Sequence, residues 1–167
     1  MFCSPVDAIW SYMVTDYTYD ELGQGRDLDL PSIMTSDSNN DDSFVGRWGE
    51  ELVDRYLQKQ RNLGNILSYE WMNDGDEKGL PYDFVVRFSD QDNSVHTDFV
   101  EVKSTKYNEK SVFEISVQQI KFAEEMRDNF HIFRVFSAGD MEKVRLIRIY
   151  DLNTRLTQKQ VKLCMLI

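Results

Sequence analysis

The chain has 167 residues, 41% of them apolar and 13% aromatic, which suits one domain with a packed core and some excess at an end. Its net charge of −10 argues against a protein that wraps nucleic acid, and no apolar run approaches the roughly 18 residues of a membrane span. Two cysteines at opposite ends, Cys3 and Cys164, suggest neither a disulfide framework nor a zinc site and fit a reducing, intracellular setting.

The charge is unevenly spread. Residues 1–45 hold nine acidic side chains and one basic one, whereas residues 46–167 hold 20 acidic and 18 basic ones and are close to neutral. The opening MFCSPVDAIWSYMVTDYTYDE carries acids among its apolar residues and has no positive n-region, so it does not read as a signal peptide. Trp10, Tyr12, Met13, Tyr17 and Tyr19 make it too apolar for a pure tail, and it reads as a docking segment. Residues 22–43, rich in Gly, Ser, Asn and Asp and without sustained periodicity, read as linker or disorder. The expected organisation is an acidic leader over 1–43 and one domain over 44–167, with the leader resembling the remnant of a longer chain.

The domain opens with a helix. In FVGRWGEELVDRYLQKQRN, Leu52, Val53, Tyr56 and Leu57 recur at helical spacing over about three turns, and Gly64 ends the element. Advancing about 100° per residue puts Glu50 at the edge of the apolar stripe and Glu51 almost opposite it, in solvent. Gly46 and Gly49 leave room for a close approach just before Glu50. Strands follow at 66–72, 82–88 and 95–105, separated by the turn-rich NDGDEKGLP and by SDQDNS, and the second and third read as a hairpin. Ser116 caps a second helix over 117–130, and strands at 131–138 and 144–152 complete the order. The fold class is α/β: a central mixed sheet flanked by a helix on each side. In the tail, six basic residues of 143–167 face one aspartate, a local patch able to meet a phosphate backbone.

Chemistry gathers in the third strand. In VEVKST, Glu101 and Lys103 are two apart and share a face with Phe99 and Thr105, while Val100 and Val102 share the other. An isolated Glu-x-Lys in a strand is ordinarily a solvated ion pair. Here neither face is cleanly polar, so both are partly covered, and charge on a covered face needs a partner or a ligand. A hairpin would bring Asp83 near Glu101 and Lys103. Two adjacent carboxylates repel unless a cation separates them, and oxygen ligands suit Mg2+ or Mn2+. On the second helix, Gln119 lies within the apolar arc. An inward glutamine either binds backbone or holds the lysine or an attacking water.

Together GRWGEE at 46–51, PYDFVV at 81–86, VEVKST at 100–105, FEIS at 113–116 and RVF at 134–136 resemble the PD-(D/E)xK nuclease superfamily. More narrowly, they resemble the domain at the C-terminus of plant NO VEIN proteins. The resemblance covers about 44–152, leaves the leader unexplained, and implies a restriction-endonuclease-like fold. It also implies divalent-metal-dependent hydrolysis of phosphodiester bonds in nucleic acid, DNA before RNA. Glu50, Asp83 and Glu101 would bind Mg2+ or Mn2+, Lys103 would assist hydrolysis, and Gln119 would complete the catalytic set. Gln119 stands where relatives often carry glutamate, which weakens the case for a further metal ligand there. Many such nucleases act in pairs, which leaves a homodimer open. The competing expectation is a catalytically inactive nuclease-like scaffold or protein-interaction domain of a larger, nuclear protein.

Overall fold

The computed structural model describes residues 42–74, 78–90, 92–110, 112–159 and 163. The expected leader therefore lies outside the described residues, except for Asp42 and Ser43, which open helix α1 (Asp42–Asn62). At 21 residues α1 is almost twice the length read from its apolar spacing. Val45 and Trp48 extend the buried stripe of Leu52, Val53, Tyr56 and Leu57 one turn toward the N-terminus. Asp42 in the first turn and Lys59 and Arg61 in the last complement the helix dipole, and Gly64, at φ +77°, turns the chain away.

Five strands form one sheet in chain order: β1 (Ser68–Trp71), β2 (Phe84–Ser89), β3 (Val95–Ser104), β4 (Phe130–Phe136) and β5 (Arg145–Tyr150). Only β3 and β4 are parallel, and the crossover between them carries α2 (Val117–Met126). The sheet is mixed and flanked by helices, as the alternation of strand and helix patterns predicts. The expected β2–β3 hairpin forms, pairing Phe84 with Val100 and Ser89 with Val95.

α1 covers one face. Its apolar residues join Phe84, Val86, Val100, Phe133, Val135 and Leu146 in the larger core. Tyr69 on β1 donates to Asp54 of α1 at 2.8 Å and ties the helix to that edge. The same face buries a polar relay. His131 Nε2 lies 2.7 Å from Asp98 and Arg148 Nε donates to His131 Nδ1 at 3.3 Å. A guanidinium only donates, so Nδ1 accepts and Nε2 carries the proton toward Asp98. Burial, the largest influence, lowers the His131 pKa and keeps the ring neutral.

α2 covers the other face with a smaller core. Ala123, Phe130, Ile132 and Leu152 are buried there, against Tyr82, Phe99 and Phe122. Phe122 meets Phe99 edge-on at 5.1 Å. α2 stops at Met126, short of the expected 130, because Arg127 adopts φ 49° and breaks the helix into a single 3-10 turn over Arg127–Asn129. Phe130 then enters β4 opposite Phe99. The last strand is also shorter than expected. Asp151, in a left-handed conformation, accepts a hydrogen bond from Thr154 N at 3.1 Å and starts α3 (Leu152–Thr157), a helix its short apolar pattern does not announce.

The two α1 glycines differ. A Cβ at Gly49 would overlap the Ser104 hydroxyl and stand 2.8 Å from Ser104 Cβ, so α1 rests on β3 at this point. A Cβ at Gly46 would meet nothing within 4 Å, so only one of the two expected close approaches is made. Gly49→Ala should therefore destabilise the domain by about 1–3 kcal/mol through overpacking. Gly46→Ala should stabilise it by about 0.5–1 kcal/mol through helix propensity. Urea unfolding of the two variants checks both signs.

Candidate carboxylate–lysine active site

Asp83 is the residue just before β2, and the hairpin register carries it across from Glu101. Its backbone N–H donates to Val100 O at 2.8 Å, and its Oδ2 accepts from Val102 N at 2.7 Å. Its other oxygen, Oδ1, accepts from Asn73 Nδ2 at 2.8 Å. The carboxyl is thus oriented by two donors, one from the hairpin and one from the β1–β2 loop. It is 7% exposed.

Glu101 is 6% exposed on the α2 face of β3. Its Oε1 receives Lys103 Nζ at 2.9 Å and Gln119 Nε2 at 2.6 Å. Gln119 reaches this position because it is also the third residue of a capping box: Gln119 N donates to Ser116 Oγ at 3.1 Å, and Gln119 Oε1 accepts from Ser116 N at 3.0 Å. Of the two roles open to an inward glutamine, it performs the backbone one and also holds the site glutamate, not the lysine. Lys103 is half-buried.

The electrostatics follow from this crowding. Burial is the largest influence on Glu101 and the Asp83 charge adds to it. Against Lys103 and Gln119, these push the Glu101 pKa up to about 8. Asp83 is also raised, mainly by burial, while the Val102 N–H, Lys103 and Asn73 oppose the shift.

Glu50 sits on α1 at the edge of the covered stripe, as its helical angle predicts. Its Oε2 accepts from the Trp71 indole at 3.1 Å. Trp71 in turn stacks on Phe84 at 5.5 Å, and the Arg47 guanidinium lies 4.1 Å from its ring centroid. Glu51 is less solvated than expected, since it pairs with Arg47 at 3.3 Å. Asp83, Glu101, Lys103 and Gln119 are brought together, and Glu50 is held by the β1 tryptophan. Among the described residues, no group of three or more His, Cys, Asp or Glu side chains is set to hold a metal ion.

Sequence reasoning passed over Asn73, Trp71 and Arg134. Arg134 pairs with Lys103 across β3–β4 and is 2% exposed in a strand buried throughout. A charge in the otherwise apolar HIFRVF was the available signal, because such a group must find partners. Asn73 and Trp71 carried none, being an ordinary turn residue and an ordinary strand aromatic.

The fold and site define an α/β domain whose central hairpin presents two buried carboxyls and a lysine beneath a helix cap. Comparison with known proteins gives the family. The family described as protein NO VEIN, C-terminal, matches residues 49–147, a span that contains all of these groups. The chain belongs to this family. Protein NO VEIN of Arabidopsis thaliana is 34% identical over 91 residues, covering 54% of this chain and 3% of that protein. Protein NO VEIN-LIKE of the same plant is 32% identical over 90 residues, covering 54% of this chain and 13% of that protein. The matched region is a small part of the length of either relative.

The raised Glu101 pKa has a signed consequence. A folded-state value of about 8 against 4.5 for an ordinary glutamate means that the contribution of this one group to stability is fully present below about pH 4.5 and is lost as pH rises toward 8. Glu101→Gln removes that loss. The stability difference between variant and wild type should grow in the variant's favour across this window, to about 1–3 kcal/mol near pH 7.5. Thermal or urea unfolding at several pH values measures it, and a flat difference would contradict it.

Proposed function

We propose that this domain is a divalent-metal-dependent phosphodiesterase acting on nucleic acid, DNA in the first instance, and that it belongs to the PD-(D/E)xK nuclease superfamily. One observation carries the reading: Asp83 and Glu101 face each other from adjoining strands, both buried, with the Lys103 ammonium 2.9 Å from Glu101. Two facing carboxyls are a costly arrangement for a merely structural site, and a cation between them removes the cost.

The residues fit Mg2+ or Mn2+ as a two-carboxylate mount. Magnesium is commonly held by one or two carboxylates together with substrate phosphates, so a third protein carboxylate is not required. Asp83 and Glu101 would hold the ion, with Glu50 reaching it only if released from the Trp71 indole. When bound, the ion acidifies a water and neutralises charge on a phosphoryl oxygen. The chain's own groups do the rest. Asn73 and the Val102 N–H orient Asp83, and Gln119 orients Glu101 from the helix cap. Lys103 positions the attacking water and offsets negative charge developing on the phosphate.

A second reading has its own support. Glu101 Oε1 is already occupied by Lys103 and Gln119, and Glu50 by Trp71, a closed network that suits an inactive scaffold. Calorimetric titration of metal-stripped protein with Mg2+, with and without DNA, separates the two. For a nuclease, Asp83→Ala should abolish Mg2+ binding, and Lys103→Ala should retain it while slowing cleavage of labelled oligonucleotides about 100-fold or more. Wild type that neither binds Mg2+ beside DNA nor cleaves it leaves the scaffold.

A further inference from the structure

We propose that the loop leaving β3, residues 105–110, is a stacking platform for an unpaired nucleobase, so that the strand engaged beside the site is single-stranded or locally opened. The inference deepens the nucleic-acid reading and rests on it for the class of ligand. Its platform is Tyr107, with the ammonium groups of Lys106 and Lys110 near the ring.

Tyr107 is 55% exposed, whereas Tyr56 and the aromatic rings of both cores are buried or half-buried. Exposure alone means little. The distinguishing feature is that the loop beneath the ring is held still. Thr105 N donates to Val135 O and Ala138 N donates to Thr105 O, each at 2.9 Å. Ser137 N donates to Tyr107 O at 3.3 Å, and Arg145 Nη2 donates to Asn108 O at 2.9 Å. Arg134 closes the base of the loop, donating from Nη1 to Lys103 O and from Nη2 to Lys110 O, both at 2.9 Å.

Arg134 does this at a cost. Its guanidinium lies near Phe113 at 5.3 Å and Phe136 at 5.0 Å, and its buried Nε has no protein hydrogen-bond partner among the described residues. Burying a guanidinium is unfavourable unless it finds partners, and Arg134 finds them in two backbone carbonyls of this stretch. What Arg134 enforces is the path of the chain from Lys103 to Lys110. That path ties the site lysine to an outward-facing aromatic ring four residues later, at most about 14 Å along the backbone.

The charge around the ring matches one kind of occupant. Lys106 Nζ lies 5.5 Å and Lys110 Nζ 6.0 Å from the Tyr107 ring centroid. Glu109 is the one carboxylate among residues 105–110, so the loop keeps a positive balance. A fixed aromatic face flanked by ammonium groups takes a base on the ring and its phosphates on the lysines. A continuous duplex hides its base faces within the stack and offers this platform only backbone. Single strands, frayed ends and bulges offer both.

The test uses the full chain in EDTA, so that binding is read without turnover. Fluorescence anisotropy compares a short labelled oligodeoxynucleotide with the same sequence as a duplex. Wild type should favour the single strand. Tyr107→Ala should weaken single-strand binding by about 5- to 150-fold and Tyr107→Phe by no more than about twofold, since stacking needs the ring and not the hydroxyl. In Lys106→Ala/Lys110→Ala the slope of log affinity against log salt should fall by about 0.7 per lysine. Circular dichroism verifies that each variant is folded. Equal binding of duplex and single strand, or wild-type affinity in Tyr107→Ala, overturns the platform. A chain that stacks single strands without cleaving them with Mg2+ keeps the platform and removes the hydrolase.

Discussion

The register of the β2–β3 hairpin is the constraint on which the rest depends. A slip of one residue would turn every side chain of β3 to the opposite face, sending Glu101 and Lys103 under α1 and Val100 and Val102 toward α2. Asp83 prevents the slip twice over, through its N–H on Val100 O and its carboxylate on the Val102 N–H. The same carboxyl that contributes to the site is therefore the pin that assembles it. Asn73 fixes the pin from the neighbouring loop. A residue with both duties is hard to replace, because asparagine there would put an amide group against the Val102 N–H or against Asn73.

The two faces of the sheet divide the labour. The α1 face is a deep apolar core, interrupted by the Asp98–His131–Arg148 relay in which each buried polar group meets another. The α2 face is thinner, and its core shares the surface with Glu101, Lys103, Gln119 and Arg134. α2 lies over β3 and β4 with Gln119 in its first turn, so the helix cap and the site are one hydrogen-bonded unit. Gly49 lets α1 settle on the far side of the same strand. β3 is thus held between two helices at the stretch where its charges are buried.

Much of this was legible in the residues. Strand alternation in β3 separated Glu101 and Lys103 from Val100 and Val102, and helical angle distinguished Glu50 from Glu51 and turned Gln119 inward. The hairpin turn announced the approach of Asp83. What escaped depended on groups far apart in sequence. Trp71 holding Glu50 and Arg134 holding Lys103 O follow from strand order, which local periodicity does not encode. The end of α2 at Arg127 and the start of α3 at Asp151 turn on single left-handed residues, neither of them a glycine. Arginine carries no breaker signal, whereas Asp151 carried the ordinary signal of an N-cap residue. The resemblance to the NO VEIN C-terminal domain identified the family through short blocks, which lie on α1, on the hairpin, at the α2 cap and on β4.

The single parallel pairing in the sheet has a consequence for how the molecule comes together. β1, β2 and β3 join through neighbouring antiparallel turns, as do β4 and β5, and such local pairings close cheaply. The seam between β3 and β4 spans the whole α2 crossover and is the non-local step. Asp83, Glu101 and Lys103 lie on the first side of that seam, Arg134 on the second, and Gln119 in the crossover itself. The carboxylate–lysine pair can thus be laid down by the first three strands, but its cap and the anchoring of the following loop await closure of the seam. A nascent chain that has made only the first half carries the two carboxyls and the lysine without the framework that holds them in place.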